Sequence, residues 1–243
     1  MTVPPVLRLV DGSGIADLAG YLVRLLRYDR AAAVHLRAAG DVLATFGRVP
    51  FGTGTAGVLA LRTSALAAPA QVDATVSAGQ LLDALAKADD AATARRAETP
   101  PVGDVEIALP DAVTGPPWTG LLPPRTGWSR EASLPIPALV HEVAEAVGRF
   151  RARTEALPAP DRTRAALDRI AEDVWSKTLP GAPGTGLPLR AAHAAASLGF
   201  LGSVDAGADA SVHAVGGWLR LDGPFGSVFV RRAGGSSLFI PRR

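Results

Sequence analysis

Few residues in this 243-residue chain have types and spacings that could do chemistry. Gly52-Thr53-Gly54-Thr55-Ala56-Gly57 fits the G-x-G-x-x-G pattern. A dinucleotide site needs those glycines between a strand and a helix, so that the helix N-terminus faces the pyrophosphate. Both flanks here have strand patterning, which predicts a hairpin loop instead. His141-Glu142-Val143-Ala144-Glu145 holds half of a zinc-protease motif. The second histidine at i+4, which grips the metal, is missing. His35, His193 and His213 stand singly, with no ligand spacing among them. The absence of cysteine removes thiolate chemistry and disulfides. No serine elbow or Walker sequence is present. Glu172-Asp173 cannot share one site by spacing alone, because adjacent helical residues diverge. Asp89-Asp90 reads as solvated charge. These observations predict a non-enzymatic protein with no metal and no cofactor.

The C-terminal third is more suggestive. It carries a net charge of +4 over residues 151–243, against −2 over residues 1–150. Its pattern is helix, glycine-bearing joint (Gly181 to Gly186), helix, then β-hairpin, the order of a winged-helix unit. Arg190, His193 and Ser197 share one face of the second helix at i, i+3, i+7 spacing, where they could reach base edges or phosphates. Arg220, Arg231 and Arg232 on the hairpin could contact phosphates. The leading expectation is therefore a DNA-binding or DNA-associated protein, regulatory in role, working through this basic domain. The alternative is a protein-interaction adaptor, with Trp118 and Trp128 of the proline-rich segment 110–130 as anchors. An enzyme without recognisable motifs ranks third.

Hydrophobic periodicity supplies the elements that must position these residues. Val6 to Val10 reads as a strand, and Ile15, Leu18, Leu22, Leu25 and Leu26 as the apolar face of a helix. Asp17, Tyr21, Arg24 and Arg27 fall away from that face. Ala32 to Ala38, Asp41 to Val49 and Gly57 to Ala65 read as strands. Val72 to Val76 is a fourth strand, entering a short helix with Leu81, Leu82 and Leu85. Asp89 to Gly103 reads as an exposed loop. Val105 to Leu109 and Ala132 to Ile136 are strands. A helix then follows with Val140, Val143, Val147 and Phe150 inward. Asp161 is placed to cap a helix striped by Leu167, Ile170, Ala171 and Val174. Val212 to Val215, Trp218 to Asp222 and Val228 to Arg232 form the closing strands.

The order in residues 6–88 is strand, helix, antiparallel strands, then a strand entering a helix. Thr75-Val76-Ser77-Ala78-Gly79-Gln80-Leu81-Leu82 makes that entry, and Ser133-Leu134-Pro135-Ile136-Pro137-Ala138 repeats its style. In this order the chain resembles the half-domain of DNA sliding clamps. The resemblance implies that Arg24 and Arg27 lie on a DNA-facing helix. The second helix, with Asp83, Asp89 and Asp90 against Lys87, departs from such a lining.

The fold expectation is α+β in two domains: a mixed sheet-and-helix domain over residues 1–156, and a helix–helix–hairpin, winged-helix-like domain over residues 161–243. Leu157-Pro158-Ala159-Pro160 marks the expected boundary. No run of about 18 apolar residues exists, so no membrane span is expected. Without a basic, apolar leader at its start, the sequence points to the cytoplasm.

Overall fold

The computed structural model describes residues 6–10, 12–51, 57–98, 104–202 and 207–232. The G-x-G-x-x-G stretch lies almost wholly outside the described residues. The fold is mixed α+β with antiparallel strand pairing. The chain forms two compact units: Met1–Val49 with Leu61–Leu122, and Pro50–Ala60 with Pro123–Arg243.

The first unit opens with β1 (Val6–Leu9), α1 (Gly12–Tyr28) and β2 (Ala33–Val49). β3 (Val58–Ser77), α2 (Ala78–Glu98) and β4 (Val105–Ala108) follow, the first three residues of β3 being counted with the second unit. β1 pairs with β3 on one side and with β4 on the other, Arg8 opposite Glu106 and Leu7 opposite Ile107; β2 pairs with β3. The core joins Leu7, Leu9, Leu18, Leu22, Leu25, Leu81, Leu85 and Ile107, all fully buried. Each such side chain contributes about 1.5–3 kcal/mol through lost contact with water. Tyr21, expected outside, is buried. A Cβ at Gly47 would stand 2.4 Å from its hydroxyl oxygen, so glycine makes room for the ring.

Further sequence expectations change in this unit. The strands expected at Gly57 to Ala65 and Val72 to Val76 are one element, β3. The strands placed on either side of Ala39-Gly40 form one element, β2, with Ala39 to Val42 exposed between two buried stretches. The helix expected to end before Asp89 runs on to Glu98. Ala88, Ala91, Ala92, Ala94 and Arg95 are strong helix formers, and nothing stops them before the prolines at 100 and 101. Polarity suggests a loop here; propensity decides for helix.

The second unit comprises β5 (Ser129–Pro135), α3 (Ile136–Glu155), α4 (Arg164–Trp175) and α5 (Leu189–Ser197), then β6 (Asp209–Val215), β7 (Trp218–Gly223) and β8 (Gly226–Arg231). Its strands pair antiparallel in the order β8-β7-β6-β5. α3 buries Ile136, Leu139, Val143 and Ala146, a face set slightly N-terminal to the expected one. The expected boundary at 157–160 falls inside this unit. Those residues lead into a 3-10 turn at Ala159–Asp161, and α3 packs on both α4 and α5. Prolines end a helix locally; the apolar faces on either side still pack together. Thr163, not Asp161, caps α4, its side chain accepting from the Ala166 N–H at 3.2 Å.

The unit is not a winged helix. β5 and α3 belong to it as much as the later helices do. α5 is buried nearly all round: Leu189, Arg190, Ala191, Ala192, Ala194 and Ala195 are inside. The expected joint is a closed loop. The Leu179 N–H donates to the Leu187 carbonyl at 2.7 Å, and the buried Thr185 hydroxyl donates to the Ala182 carbonyl at 2.8 Å. Gly223 and Gly226 in the last hairpin face Phe200. A Cβ on Gly223 would stand 2.3 Å from the Phe200 carbonyl oxygen, so no larger residue fits without moving backbone.

Candidate functional site

In the first unit a groove of about 520 Å3 lies between α2 and β4. From α2 it is lined by Gln80, Asp83, Ala84, Lys87, Ala88 and Ala91, and from the strand side by Glu106, Ala108, Pro110 and Asp111. The helix residues recur at three- and four-residue steps, which puts them on one strip of α2. Alanines at 84, 88, 91 and 108 leave the floor open, because a methyl group fills little space. Three carboxylates and one ammonium set the charge. Glu106 pairs with Arg8, whose guanidinium also lies 3.8 Å from Asp104. Asp83, Lys87 and Asp111 make no side-chain ion pair among the described residues, and all three are exposed. The groove therefore presents a net negative surface over a shallow alanine floor.

A second constellation of this unit was not foreseen. The buried His35 has its Nδ1 3.1 Å from the Thr75 hydroxyl and its Nε2 3.3 Å from Asp73, which also accepts from Arg37. Burial pushes the His35 pKa down; Asp73 opposes and Arg37 adds to the shift. Hydroxyl, imidazole and carboxylate in a line suggest a relay, yet Thr75 is 8% exposed and lies under the following segment. The Val113 N–H donates to the Thr75 carbonyl at 2.8 Å, and a Cβ at Gly115 would come within 3.1 Å of the Thr75 hydroxyl. The cluster ties β2, β3 and the 111–120 segment together. Period-two spacing of Asp73 and Thr75 was its one signal in the sequence.

In the second unit, the residues expected to read DNA are placed otherwise. Arg190 is 6% exposed and donates to Glu172 at 2.7 Å. Its Nε and Nη1 are buried without a hydrogen-bond acceptor. His193 stacks on Trp175, ring centroids 4.3 Å apart, with Phe51 at 4.8 Å on it and Phe150 at 6.4 Å from Trp175. Burial lowers its pKa. Ser197 is half-buried at the end of α5. Arg220 donates to Asp222 at 2.5 Å and lies 5.7 Å from the rings of both Trp128 and Phe229. Arg231 stacks over Trp218 at 4.1 Å; Arg231 and Arg232 are exposed. No basic strip reaches outward through Arg190. An Ala-rich helix of nine residues is easily drawn into a core, and it carries its arginine with it.

The proline-rich segment is divided between the two units. Trp118 sits half-buried in a 3-10 turn of the first unit (Pro117–Gly120). Trp128 belongs to the second unit, where its indole N–H donates to the Pro124 carbonyl at 2.9 Å. The acidic pair on α4 has separate partners: Glu172 takes Arg190, and Asp173 accepts from Arg153 at 2.9 Å. Among the described residues, no group of three or more His, Cys, Asp and Glu is placed to hold a metal ion, and no helix is long and apolar enough to cross a membrane.

Comparison with known proteins follows the same division. Residues 2–120 match the family model of a domain of unknown function, DUF8010, and residues 123–235 that of another, DUF8185. No curated protein matches the chain. Among solved structures it is similar to the DNA polymerase sliding clamp of Caulobacter crescentus: 15% identity over 98% of this chain and 69% of that one, TM-score 0.47. The DNA polymerase III subunit beta of Pseudomonas aeruginosa gives 12%, 98%, 69% and 0.47. The Helicobacter pylori beta clamp, solved with a DNA ligase peptide, gives 9%, 98%, 70% and 0.45. At these identities and scores the likeness assigns no activity to the chain. The expectation of a regulatory DNA-binding protein acting through a basic C-terminal winged helix is overturned. The unit has another architecture, with β5 and α3 built into it, and Arg190 is buried against Glu172 instead of reaching outward. Trp118 and Trp128, the expected anchors of an adaptor surface, belong to different units.

Proposed function

We propose that the chain is a non-catalytic binding module whose working surface is the α2–β4 groove, and that it takes a positively charged segment of another molecule. The observation that carries this reading is the groove's composition: Asp83, Glu106 and Asp111 around an alanine floor, with Lys87 as the one cation among the described lining residues. Such a surface repels phosphate backbones and attracts lysine- and arginine-rich segments. The carboxylates lie in the open, so each contributes modestly, about 0.2–1 kcal/mol per exposed pair. Selectivity then comes from several such contacts acting over a shape-limited floor.

Fluorescence anisotropy with a labelled ten-residue Lys/Arg-rich peptide tests the reading, with a Glu-rich peptide of equal length as control. Binding of the first alone, weakening as salt rises, is expected. Asp83→Lys with Asp111→Lys should abolish it while circular dichroism stays unchanged. No binding of the cationic peptide at low salt removes the proposal.

A further inference from the structure

The groove has a second property that charge does not describe. Among the described residues, β4 is the last strand on its side of the sheet, with β1 as its strand neighbour. A strand paired on one side presents a row of backbone N–H and C=O groups on the other, a template for a further strand. β4 and α2 line the groove together, so a chain laid beside the strand enters the acidic surface at the same time. Bulky side chains on α2 would keep such a chain away; Ala84, Ala88 and Ala91 do not.

Resting on the groove being the working surface, we infer that its occupant is an extended, basic segment of a partner polypeptide, which adds to β4 as a strand. β4 has four residues, so the paired core is about four residues long, or roughly 13 Å at 3.3–3.4 Å per residue. Side chains of an added strand alternate between two faces. Lysines or arginines flanking the paired core reach Asp83 on the helix and Asp111 beyond the strand, while small or β-branched residues fit over the alanines. Glu106, already paired with Arg8, gives less attraction than the two free carboxylates. Recognition thus has two components, backbone pairing that fixes conformation and carboxylates that select charge.

The test uses the intact chain and one ten-residue peptide of alternating Lys and Val, with two N-methylated versions. Each version carries methyl groups on alternate central amides, one series per register. N-methylation removes the donor and leaves side chains and charge alone. Strand addition to one edge uses one register only. One series should therefore lose about 10-fold or more in affinity, for two lost hydrogen bonds, while the other stays within about 2-fold of the parent. Equal affinities for all three peptides overturn strand addition and leave the acidic-groove reading standing. Failure of the parent peptide to bind overturns both. Sedimentation equilibrium covers a third outcome: self-association that Glu106→Lys abolishes, with no peptide bound, assigns the edge to a second copy of this chain and overturns the proposal.

Discussion

α2 and α5 are both alanine-rich helices, and they use alanine in opposite ways. On α2 the alanines lie under an open groove, and the room they leave is accessible from outside. On α5 they let a nine-residue helix sink into the second unit until even its arginine is buried. Small side chains provide space; whether the space becomes a site or a tight contact depends on what packs against it. β7 and β8 close over α5, while the side of α2 that faces the groove is met by a four-residue strand at the sheet's edge. Composition alone does not separate these fates.

The sharpest way to break this contrast is to put the same large residue into each helix. Ala195→Leu on α5 should destabilise the protein by about 1–3 kcal/mol or more, because a side chain 1% exposed has no free volume around it. Ala84→Leu on α2 should change stability by about 0.5 kcal/mol or less and should abolish binding of the cationic peptide. Urea denaturation midpoints at unchanged m-value, with anisotropy alongside, read both effects. A tolerated Ala195→Leu would mean that α5 is not held as tightly as its burial indicates.

The Arg190–Glu172 pair gives the next largest effect. Glu172→Ala strands a guanidinium that already has two buried donors without acceptors, at an expected cost of about 1–2 kcal/mol, since water reaches the Glu172 end of the pair. Arg190→Leu removes the charge and the unmet donors together and should stay within about 1 kcal/mol of the parent. The order is the useful readout, since a surface contact with DNA or solvent would make both changes nearly silent.

Acid separates the units more gently. Burial lowers the pKa of His193 and of His35 below the ordinary 6.5. The unfolded chain therefore takes up protons first as pH falls. Stability is whole above about pH 6.5 and is lost as pH drops from there toward the folded values. His193 has no carboxylate opposing the shift, whereas Asp73 opposes it at His35. His193→Phe should flatten the loss of stability between pH 7 and 5 more than His35→Gln does. The smallest expected effect is Lys87→Glu, which reverses the one cation among the groove's described lining residues. It should raise affinity for the cationic peptide about 2- to 5-fold and leave stability unchanged.

Much of the fold was legible because its elements follow periodicity. β1, α1, β4, α3 and the three closing strands lie within a few residues of where the pattern puts them. What failed had local causes. Asp89-Asp90 looks like a loop because charge masks the helix propensity of the alanines around it. Pro158 and Pro160 look like a boundary because a chain break and a domain edge share the same residues. The groove was invisible for a different reason: it joins one strip of α2 to a strand 15 or more residues later, and periodicity does not say which strand lies beside a helix. Arg190 went wrong through its spacing. Three residues sharing one helix face says nothing about whether that face looks out or in.

The path of the backbone between the units has a consequence for synthesis. Pro50–Ala60 belongs to the second unit, although the ribosome makes it before most of the first. Val58, Leu59 and Ala60 are buried, yet the rest of their unit begins at Pro123. While residues 61–122 are being translated, the partners that this apolar tripeptide has in the rest of its unit are still to come. A nascent chain exposing such a segment is open to aggregation until the later elements arrive, and at about 5–20 residues per second that wait lasts several seconds. A fragment cut at Leu122 would never leave that condition.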